Sequence, residues 1–238
     1  MIKRKLRKWL KEKKLNEMDG FYFALFVKKI SGKINFSFSR FGDGEWTAIL
    51  NLDAKENCDG HQYFDDMGEQ LKEAFISSSE YYKGIQPLAW RTMSQDILPL
   101  SCHTNNSYFN ADILHKASEY GSIQPFFDAL NTREVVLVGP AYLSNQNKIN
   151  IKKHITIPMK NCWLEAETIM RSVREYLDNK MAGDNAVVVL FCASMAANVF
   201  IEVLHKQYKN EHSFFDIGSL LDPYANVNSR TYHKKLKK

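Results

Sequence analysis

The stretch NAVVVLFCAS, residues 185–194, says most about the fold, because every position from 186 to 193 is apolar. A strand that is apolar on both faces is typical of a parallel sheet covered by helices on each side. The segment that follows, MAANVFIEVLHKQY (195–208), has apolar residues at helical spacing. This passage from strand to helix predicts an α/β architecture.

The rest of the chain repeats the alternation of strands and helices. Further strands are predicted at 34–41, 81–88, 134–143 and 154–159, and further helices at 20–30, 44–52, 64–78, 111–130 and 162–180. We therefore predict a Rossmann-like α/β fold, a mostly parallel sheet with helices on both faces. Ligands bind such sheets beyond the carboxyl ends of the strands, which here means the loops at 40–45, 86–91, 139–144, 159–162, 192–195 and 216–222.

Composition fits one globular domain in a reducing compartment. The chain has 238 residues, of which 45% are hydrophobic and 25% charged. No apolar run is long enough for a transmembrane helix, and the start of the chain lacks the apolar core of a secretory signal. The four cysteines are not at zinc-ligand spacing, so we expect neither a zinc site nor disulfides. These features predict a cytoplasmic protein.

Charge is distributed unevenly along the chain. Residues 1–14 carry a net charge of +7 and residues 230–238 a net +5, although the whole chain is only +5. We therefore divide the chain into a basic, helical arm at 1–19, a single domain at 20–226 and a basic tail at 227–238. A nucleic-acid-binding domain needs basic residues on its folded surface, and the mildly acidic central domain argues against that function.

The basic arm has two interpretations. Ile2, Leu6, Trp9 and Leu10 recur at helical spacing among lysines and arginines. Such a segment can lie on an anionic membrane, which would place the protein peripherally at the inner face of the plasma membrane. The alternative is a solvated basic terminus without a partner.

The segment SRFGDGEW, residues 39–46, is the strongest candidate for chemistry. In extended backbone Asp43 and Glu45 share one face about 7 Å apart, so they could hold one divalent cation together. Arg40 can bind a phosphate through two hydrogen bonds, and Gly42 and Gly44 let a ligand approach the backbone. In the alternative interpretation Asp43 caps the next helix and Glu45 is favoured in its first turn by the helix dipole.

Two strand ends offer backbone N–H groups to an anion. VVLVGPAYL contains Gly139 and VVVLFCASMA contains Ser194, each at a turn that leads into a helix. Neither has the GxGxxG pattern of dinucleotide-binding proteins, and the chain has no P-loop motif. An NAD-dependent oxidoreductase and a P-loop kinase are therefore not expected.

FFDIGSLLDPY, residues 214–224, supplies the candidate general bases. Asp216 and Asp222 flank the turn at Gly218 and Ser219. Asp216 can serve as a base or bind a sugar hydroxyl, or it can simply cap the turn that follows it.

Taken in order, SRFGDGEW, GIQPL, VVLVGPAYL, TIPMKNCW, VVVLFCAS and FFDIGSLLDPY resemble the bacterial GT-D-type glycosyltransferases. That family was formerly designated a domain of unknown function. Its hallmark is an RFGDGE-like segment with an Asp-x-Glu motif, on a Rossmann-like fold. The resemblance runs from about residue 20 to residue 226.

The resemblance implies a metal-dependent hexosyltransferase. Its donor would be a nucleoside diphosphate sugar such as a UDP-sugar, and its acceptor a glycan, a glycoprotein or a lipid-linked molecule. Asp43 and Glu45 would hold Mn²⁺ or Mg²⁺, and Asp216 and Asp222 are the catalytic candidates. The residues expected to contact the donor are Arg40, Gly42, Gly44, Gly139, Ser194 and Ser219.

Two other functions fit the sequence. The first is a catalytically inactive module of the same fold that binds a nucleotide or regulates a partner. The second is a different nucleotide-using enzyme, such as a phosphatase or a methyltransferase. Donor turnover with Mn²⁺ distinguishes the three hypotheses.

Overall fold

The structure is a computed structural model that describes residues 17–57, 59–101, 108–180, 186–230 and 233. Within these residues the chain forms a sheet with the strand order β3-β2-β1-β7-β6-β4-β5, in which every pair of neighbouring strands is parallel. The strands are β1 (Phe38–Phe41), β2 (Tyr82–Ile85), β3 (Tyr108–Asn110), β4 (Glu134–Pro140), β5 (Lys153–Ile157), β6 (Val187–Phe191) and β7 (Ser213–Asp216). The predicted Rossmann-like α/β fold is confirmed.

Helices cover both faces of the sheet. They are α1 (Glu17–Ser31), α2 (Asp43–Ile49), α3 (Asp65–Ile76), α4 (Pro87–Ser101), α5 (Ile113–Glu119), α6 (Gln124–Leu130), α7 (Ala166–Asp178) and α8 (Ala196–Tyr208). Short 3₁₀ turns follow β4, β5 and β7 at Ala141–Asn145, Cys162–Glu165 and Asp222–Ala225. In the described part of the chain, no helix combines the length and apolar character needed to cross a lipid bilayer.

The apolar strands bury alternate residues on opposite faces. In β6, Val188 and Leu190 pack with α1, α5 and α6, whereas Val187 and Val189 pack with α7 and α8. Successive side chains of a strand point to opposite sides of the sheet, so a strand covered on both sides has to be apolar throughout. The continuous apolar run at 186–193 is explained by this arrangement.

The first strand is shorter than the sequence predicts. The prediction was 34–41, but the ladder begins only at Phe38. Side chains replace ladder bonds before that point: the Phe36 N–H donates to Ser213 Oγ, and the Phe214 N–H donates to Ser37 Oγ. Ser37, just before β1, and Ser213, the first residue of β7, thus satisfy backbone groups that a longer strand pair would have bonded directly.

The folded domain extends beyond 20–226 at both ends. Helix α1 begins at Glu17, and Asp19 is buried, although both positions fall in the predicted arm. At the other end, His233 is buried and its N–H donates to the carbonyl of Arg230. Residues 1–16, which carry most of the arm, lie outside the described residues.

Lys83 on β2 is a fully buried lysine far from the loops that follow the strands. Its Nζ donates to the Phe75 carbonyl, the Ser77 carbonyl and Ser77 Oγ at 2.9–3.0 Å, and lies 5.0 Å from the centre of the Tyr81 ring. Burial lowers the pKa of Lys83 from 10.5 to about 8. The charged form is therefore less favourable in the folded protein than in the unfolded chain.

Replacing Lys83 with methionine should remove a pH dependence of stability. Between pH 8 and pH 10.5 the unfolded chain binds a proton at Lys83 that the folded protein has lost, so the free energy of unfolding rises with pH by roughly 3 kcal/mol. Denaturant unfolding at several pH values across this window measures the rise. The exposed Lys72→Met variant is the control, and it should keep the wild-type slope. Parallel curves for wild type and Lys83→Met would contradict the prediction.

Candidate functional site

A cleft of about 1020 Å³ opens along the carboxyl ends of the strands. Its walls come from the loops after all seven strands, together with residues of α2 and α5 and with Asn57, Asp59, His61 and Tyr63. The loops after β1 and β7 meet near its centre, because these two strands are neighbours in the sheet. The cleft therefore lies where parallel α/β sheets bind their ligands.

Arg40, the next-to-last residue of β1, is held in the cleft by backbone and side-chain contacts. Its Nε donates to the carbonyl of Ala111 at 2.7 Å, and Asn198 of α8 bonds both its N–H and its carbonyl. The terminal nitrogens lie 3.9 Å from Asp216 Oδ1 and 3.8 Å from Asp112 Oδ1. Those separations exceed hydrogen-bond length, so both nitrogens can still bond an anionic ligand.

Gly218 makes room for the Arg40 guanidinium. Its φ is +49°, and a Cβ at this position would lie 2.4 Å from Arg40 Nη1. Only glycine therefore fits here without moving the guanidinium. The turn after β7 therefore packs closely against the Arg40 side chain at the end of β1.

The Asp-x-Glu segment is helical rather than extended. Gly42 is the N-cap of α2, with φ −93° and ψ −169°, Asp43 is the first helical residue, and Glu45 is the third. Residues two apart in a helix point about 200° from each other, so the extended geometry that the sequence suggested is wrong. The predicted cap at Asp43 is also wrong, because Gly42 occupies that position, whereas Glu45 does lie in the first turn.

Asp43 and Glu45 nevertheless both line the cleft. Glu45 Oε2 accepts the N–H of Gly42 at 2.8 Å, which directs the glutamate back towards the end of β1. Asp43 is exposed, and the described residues donate no hydrogen bond to its carboxylate. Asp43 and Glu45 thus both retain carboxylate oxygens that a ligand can contact.

Two carboxyl groups in the cleft have raised pKa values. Burial, reinforced by the negative charge of Asp216, raises the pKa of Glu45 to about 7. Burial raises the pKa of Asp216 to about 6, against the opposing effects of Arg40 and of the hydrogen bond from the Gly218 N–H at 2.9 Å. Carboxyl groups whose pKa values are raised towards 7 by burial are typical of functional sites. Glu45 and Asp216 are two such groups beside one arginine.

Asp222 is placed differently from Asp216, although it also lines the cleft. Tyr142 donates its hydroxyl to Asp222 Oδ1 at 2.9 Å, and the Ser229 hydroxyl donates to Oδ2. Both oxygens therefore bond protein groups, and burial raises the pKa of this carboxyl above its usual value. These bonds join the turn after β4 to the last described segment of the chain.

The small residues predicted to contact the donor divide into two groups. Gly42, Gly44, Ser194 and Ser219 line the cleft. Gly139 does not; a Cβ there would lie 2.8 Å from Leu143 Cδ1 and 3.1 Å from Cys192 Cβ. The role of Gly139 is therefore close packing under the turn after β4, and its neighbour Pro140 forms the wall instead.

Several cleft residues escaped the sequence analysis. Asn57 accepts the N–H groups of Asp59 and His61 and donates to Ser194 Oγ at 3.5 Å. Asp59 forms a two-bond ion pair with Arg230, both contacts 2.5 Å long. The turn-forming residues Asn57, Asp59 and Gly60 are a local signal that could have indicated a loop here. Nothing local indicates a pairing across 171 positions.

His115 is another cleft residue without a local sequence signal; it is a buried side chain on the cleft wall. Burial, with the positive charge of Arg40 nearby, holds its pKa well below the usual value. The imidazole is therefore neutral at physiological pH.

The structure offers no preformed metal cage in the parts that it describes. Among those residues, no three His, Cys, Asp or Glu side chains are grouped closely enough to hold an ion by themselves. Mn²⁺ and Mg²⁺ at diphosphate sites usually take one or two carboxylates and complete their shell with phosphate oxygens and water. Asp43 and Glu45 supply that number of carboxylates to the wall of the cleft.

No protein-family model and no curated protein matches the chain. Two solved structures share its fold, each 13% identical, covering 85% of this chain and 84% of their own. One is a selenomethionine-substituted structure of the domain of unknown function 1792, with a TM-score of 0.56. The other, with a TM-score of 0.55, is described as showing that this highly conserved domain has a distinct glycosyltransferase fold. The chain therefore has the fold of the domain of unknown function 1792, as the sequence resemblance implied.

Proposed function

We propose that the protein is a metal-dependent glycosyltransferase that moves a sugar from a nucleoside diphosphate donor, such as a UDP-sugar, to an acceptor hydroxyl. The observation that carries this proposal is the meeting of Arg40, Asp43, Glu45 and Asp216 in one cleft at the carboxyl edge of the sheet. The cleft is large enough for a nucleotide sugar, at about 1020 Å³. A fold described elsewhere as a glycosyltransferase fold supports the same reaction class.

Asp43 and Glu45 are the residues that would hold Mn²⁺ or Mg²⁺. A bound cation would supply positive charge to the diphosphate as it leaves the sugar. Asp43 presents an exposed carboxylate, and Glu45 has one oxygen fixed by the Gly42 N–H. Arg40 adds two terminal nitrogens that face the same space and can bind phosphate oxygens.

Asp216 is the group that we assign to proton transfer. The acceptor hydroxyl gives its proton to the Asp216 carboxylate as its oxygen bonds the anomeric carbon, and the nucleoside diphosphate leaves with the electrons of the broken bond. A pKa of about 6 keeps the carboxylate mostly ionised at neutral pH while making it a stronger base than an exposed aspartate. Asp222 suits this task less well, because Tyr142 and Ser229 already occupy its oxygens.

A donor screen tests the proposal. The protein is incubated with UDP-, GDP- and CMP-sugars in the presence of Mn²⁺, and release of the nucleotide is followed. We expect turnover of a UDP- or GDP-sugar and not of a CMP-sugar, which carries a monophosphate. Turnover should be lost on addition of EDTA and recover when Mn²⁺ is restored in excess.

Other outcomes of the same screen identify the alternatives. Tight nucleotide binding that ignores metal, with no turnover, would indicate an inactive binding or regulatory module. Release of free phosphate would indicate a phosphatase. Consumption of S-adenosylmethionine, added to the screen as a further candidate donor, would indicate a methyltransferase. Each of these results contradicts the proposed transferase.

The proposal extends to partners and location. The donor is a nucleotide sugar, the acceptor is a glycan, a glycoprotein or a lipid-linked molecule, and nucleic acid is not a partner. The proposed location is the cytoplasm, with the basic ends of the chain in contact with the inner face of the plasma membrane.

A further inference from the structure

The first described helix begins at the same edge of the sheet as the cleft. Asp19, one turn into the domain, accepts hydrogen bonds from Asn110 at 3.0 Å and from Lys116 at 3.1 Å. Asn110 is the last residue of β3, and Lys116 lines the cleft. The described chain therefore begins beside the cleft rather than at the opposite edge.

The other end of the chain leaves from the same place. Arg230 lines the cleft and is fixed by its ion pair with Asp59. Residues 231–238 follow directly and include four lysines and no acidic residue. Both basic segments, net +7 at 1–14 and net +4 at 231–238, are thus attached at one edge of the domain.

Exposed apolar side chains lie along this edge as well. Met159 and Leu164, in the loop and turn after β5, are 67% and 71% exposed, and the exposed Lys160 lies between them in sequence. Leu88 and Trp90, in the first turn of α4 after β2, are 46% and 41% exposed. Because the strands are parallel, the loops after β2 and β5 lie at the same edge of the sheet.

We propose that this edge, the cleft rim formed by residues 86–91 and 158–164 together with the attachment points of both basic segments, docks on an anionic lipid bilayer. Each lysine or arginine near such a surface contributes about 1 kcal/mol of attraction. Apolar side chains flanked by lysine can enter the headgroup region, which a soluble polyanion does not offer. The combination of charge with exposed apolar groups therefore favours a membrane over a nucleic acid or an acidic protein.

Docking in this orientation turns the mouth of the cleft towards the bilayer. An acceptor carried on a lipid would then reach Asp216 without leaving the membrane surface, a consequence that rests on the proposed function. Docking itself does not depend on the chemistry, since vesicle binding requires neither donor nor metal. Failure of one proposal can therefore be distinguished from failure of the other.

Vesicle co-sedimentation tests the orientation. The full chain is mixed with phosphatidylcholine vesicles containing about 30% phosphatidylglycerol, and with phosphatidylcholine alone. The rim variant, Met159→Glu with Leu164→Glu, is compared with a matched variant at the opposite end of the domain, Ile34→Glu with Leu98→Glu. All four positions are at least half exposed and both variants add the same charge, so circular dichroism should show both folded.

We expect the wild type to bind the anionic vesicles in a salt-sensitive manner and to ignore phosphatidylcholine. The rim variant should bind about tenfold more weakly, whereas the matched variant should change little beyond the effect of its charge. Absence of wild-type binding would overturn the docking proposal. Equal losses in the two variants would overturn the orientation. Equal binding of the wild type to a soluble polyanion would overturn the choice of a lipid bilayer as the partner.

Discussion

Replacing Asp43 with asparagine should lower metal-dependent sugar transfer by about a thousandfold, because it removes one of the two carboxylates proposed to hold the cation against the leaving diphosphate. Asp43 is exposed and begins a helix of seven residues, so the substitution should leave the fold intact. Nucleotide release is measured over a range of Mn²⁺ concentrations. The variant should need far more Mn²⁺ than the wild type to reach its own maximum.

The chain contains a matched control for this change. Asp65 is also an exposed aspartate at the first position of a helix, α3, and it does not line the cleft. Asp65→Asn loses the same favourable interaction with the helix dipole, typically 0.3–1 kcal/mol, but no proposed cation ligand. Equal activity of the two variants would remove the basis for placing a metal at Asp43.

The architecture could be predicted because it depends on a strong local signal. Val188 and Val189 are buried on opposite faces of the sheet, the first in the cluster with α1 and the second in the cluster with α8. Both faces of the strand are therefore apolar, which appears in the sequence as an uninterrupted apolar run. The alternation of such runs with amphipathic segments leaves few architectures other than a covered parallel sheet. The same reasoning located the loops that form the cleft.

Residues 89–91 were expected only as part of a loop and residues 92–110 carried no prediction, although α4 begins at Pro87 and β3 lies at Tyr108–Asn110. Helix α4 contains Pro99, and its backbone is non-helical at Met93, with φ −128° and ψ 20°. The helix is therefore interrupted, and the sequence lacks the continuous helical periodicity by which it would be recognised. Strand β3 is only three residues long at the sheet edge. Short and interrupted elements depend on tertiary packing, which local periodicity does not record.

The candidate site was predicted in its residue types better than in its geometry. A helix was expected at 44–52, but the metal interpretation took Asp43 and Glu45 as extended backbone. Helix α2 already begins at Asp43, and Glu45 bonds back to the Gly42 N–H. The ion pair between Asp59 and Arg230 joins segments remote in sequence, so only folding brings it to the cleft. Neither the geometry of α2 at Asp43 nor the Asp59–Arg230 pair follows from the spacing of residues along the sequence.

The two aspartates after β7 should differ in what their replacement does. The sequence offered Asp216 and Asp222 as equal candidates, and both are buried in the cleft wall. Asp216 faces Arg40 at 3.9 Å and accepts one backbone N–H, whereas Asp222 accepts hydroxyl groups from both sides. The first arrangement suits proton transfer and the second suits holding two loops together.

Asp216→Asn should reduce kcat for transfer by about a thousandfold while the KM for the donor stays within a few fold, because a general base contributes to the barrier and not to donor binding. Asparagine Oδ1 can still accept the Gly218 N–H, so the turn is retained. Asp222→Asn should instead keep most of kcat and lose about 1–3 kcal/mol of stability, since asparagine has one acceptor oxygen and its amide nitrogen cannot accept the second hydroxyl, from Tyr142 or Ser229. Steady-state kinetics and thermal unfolding measure both variants. A large fall in kcat for Asp222→Asn, with Asp216→Asn active, would move the base from β7 to the turn that follows it.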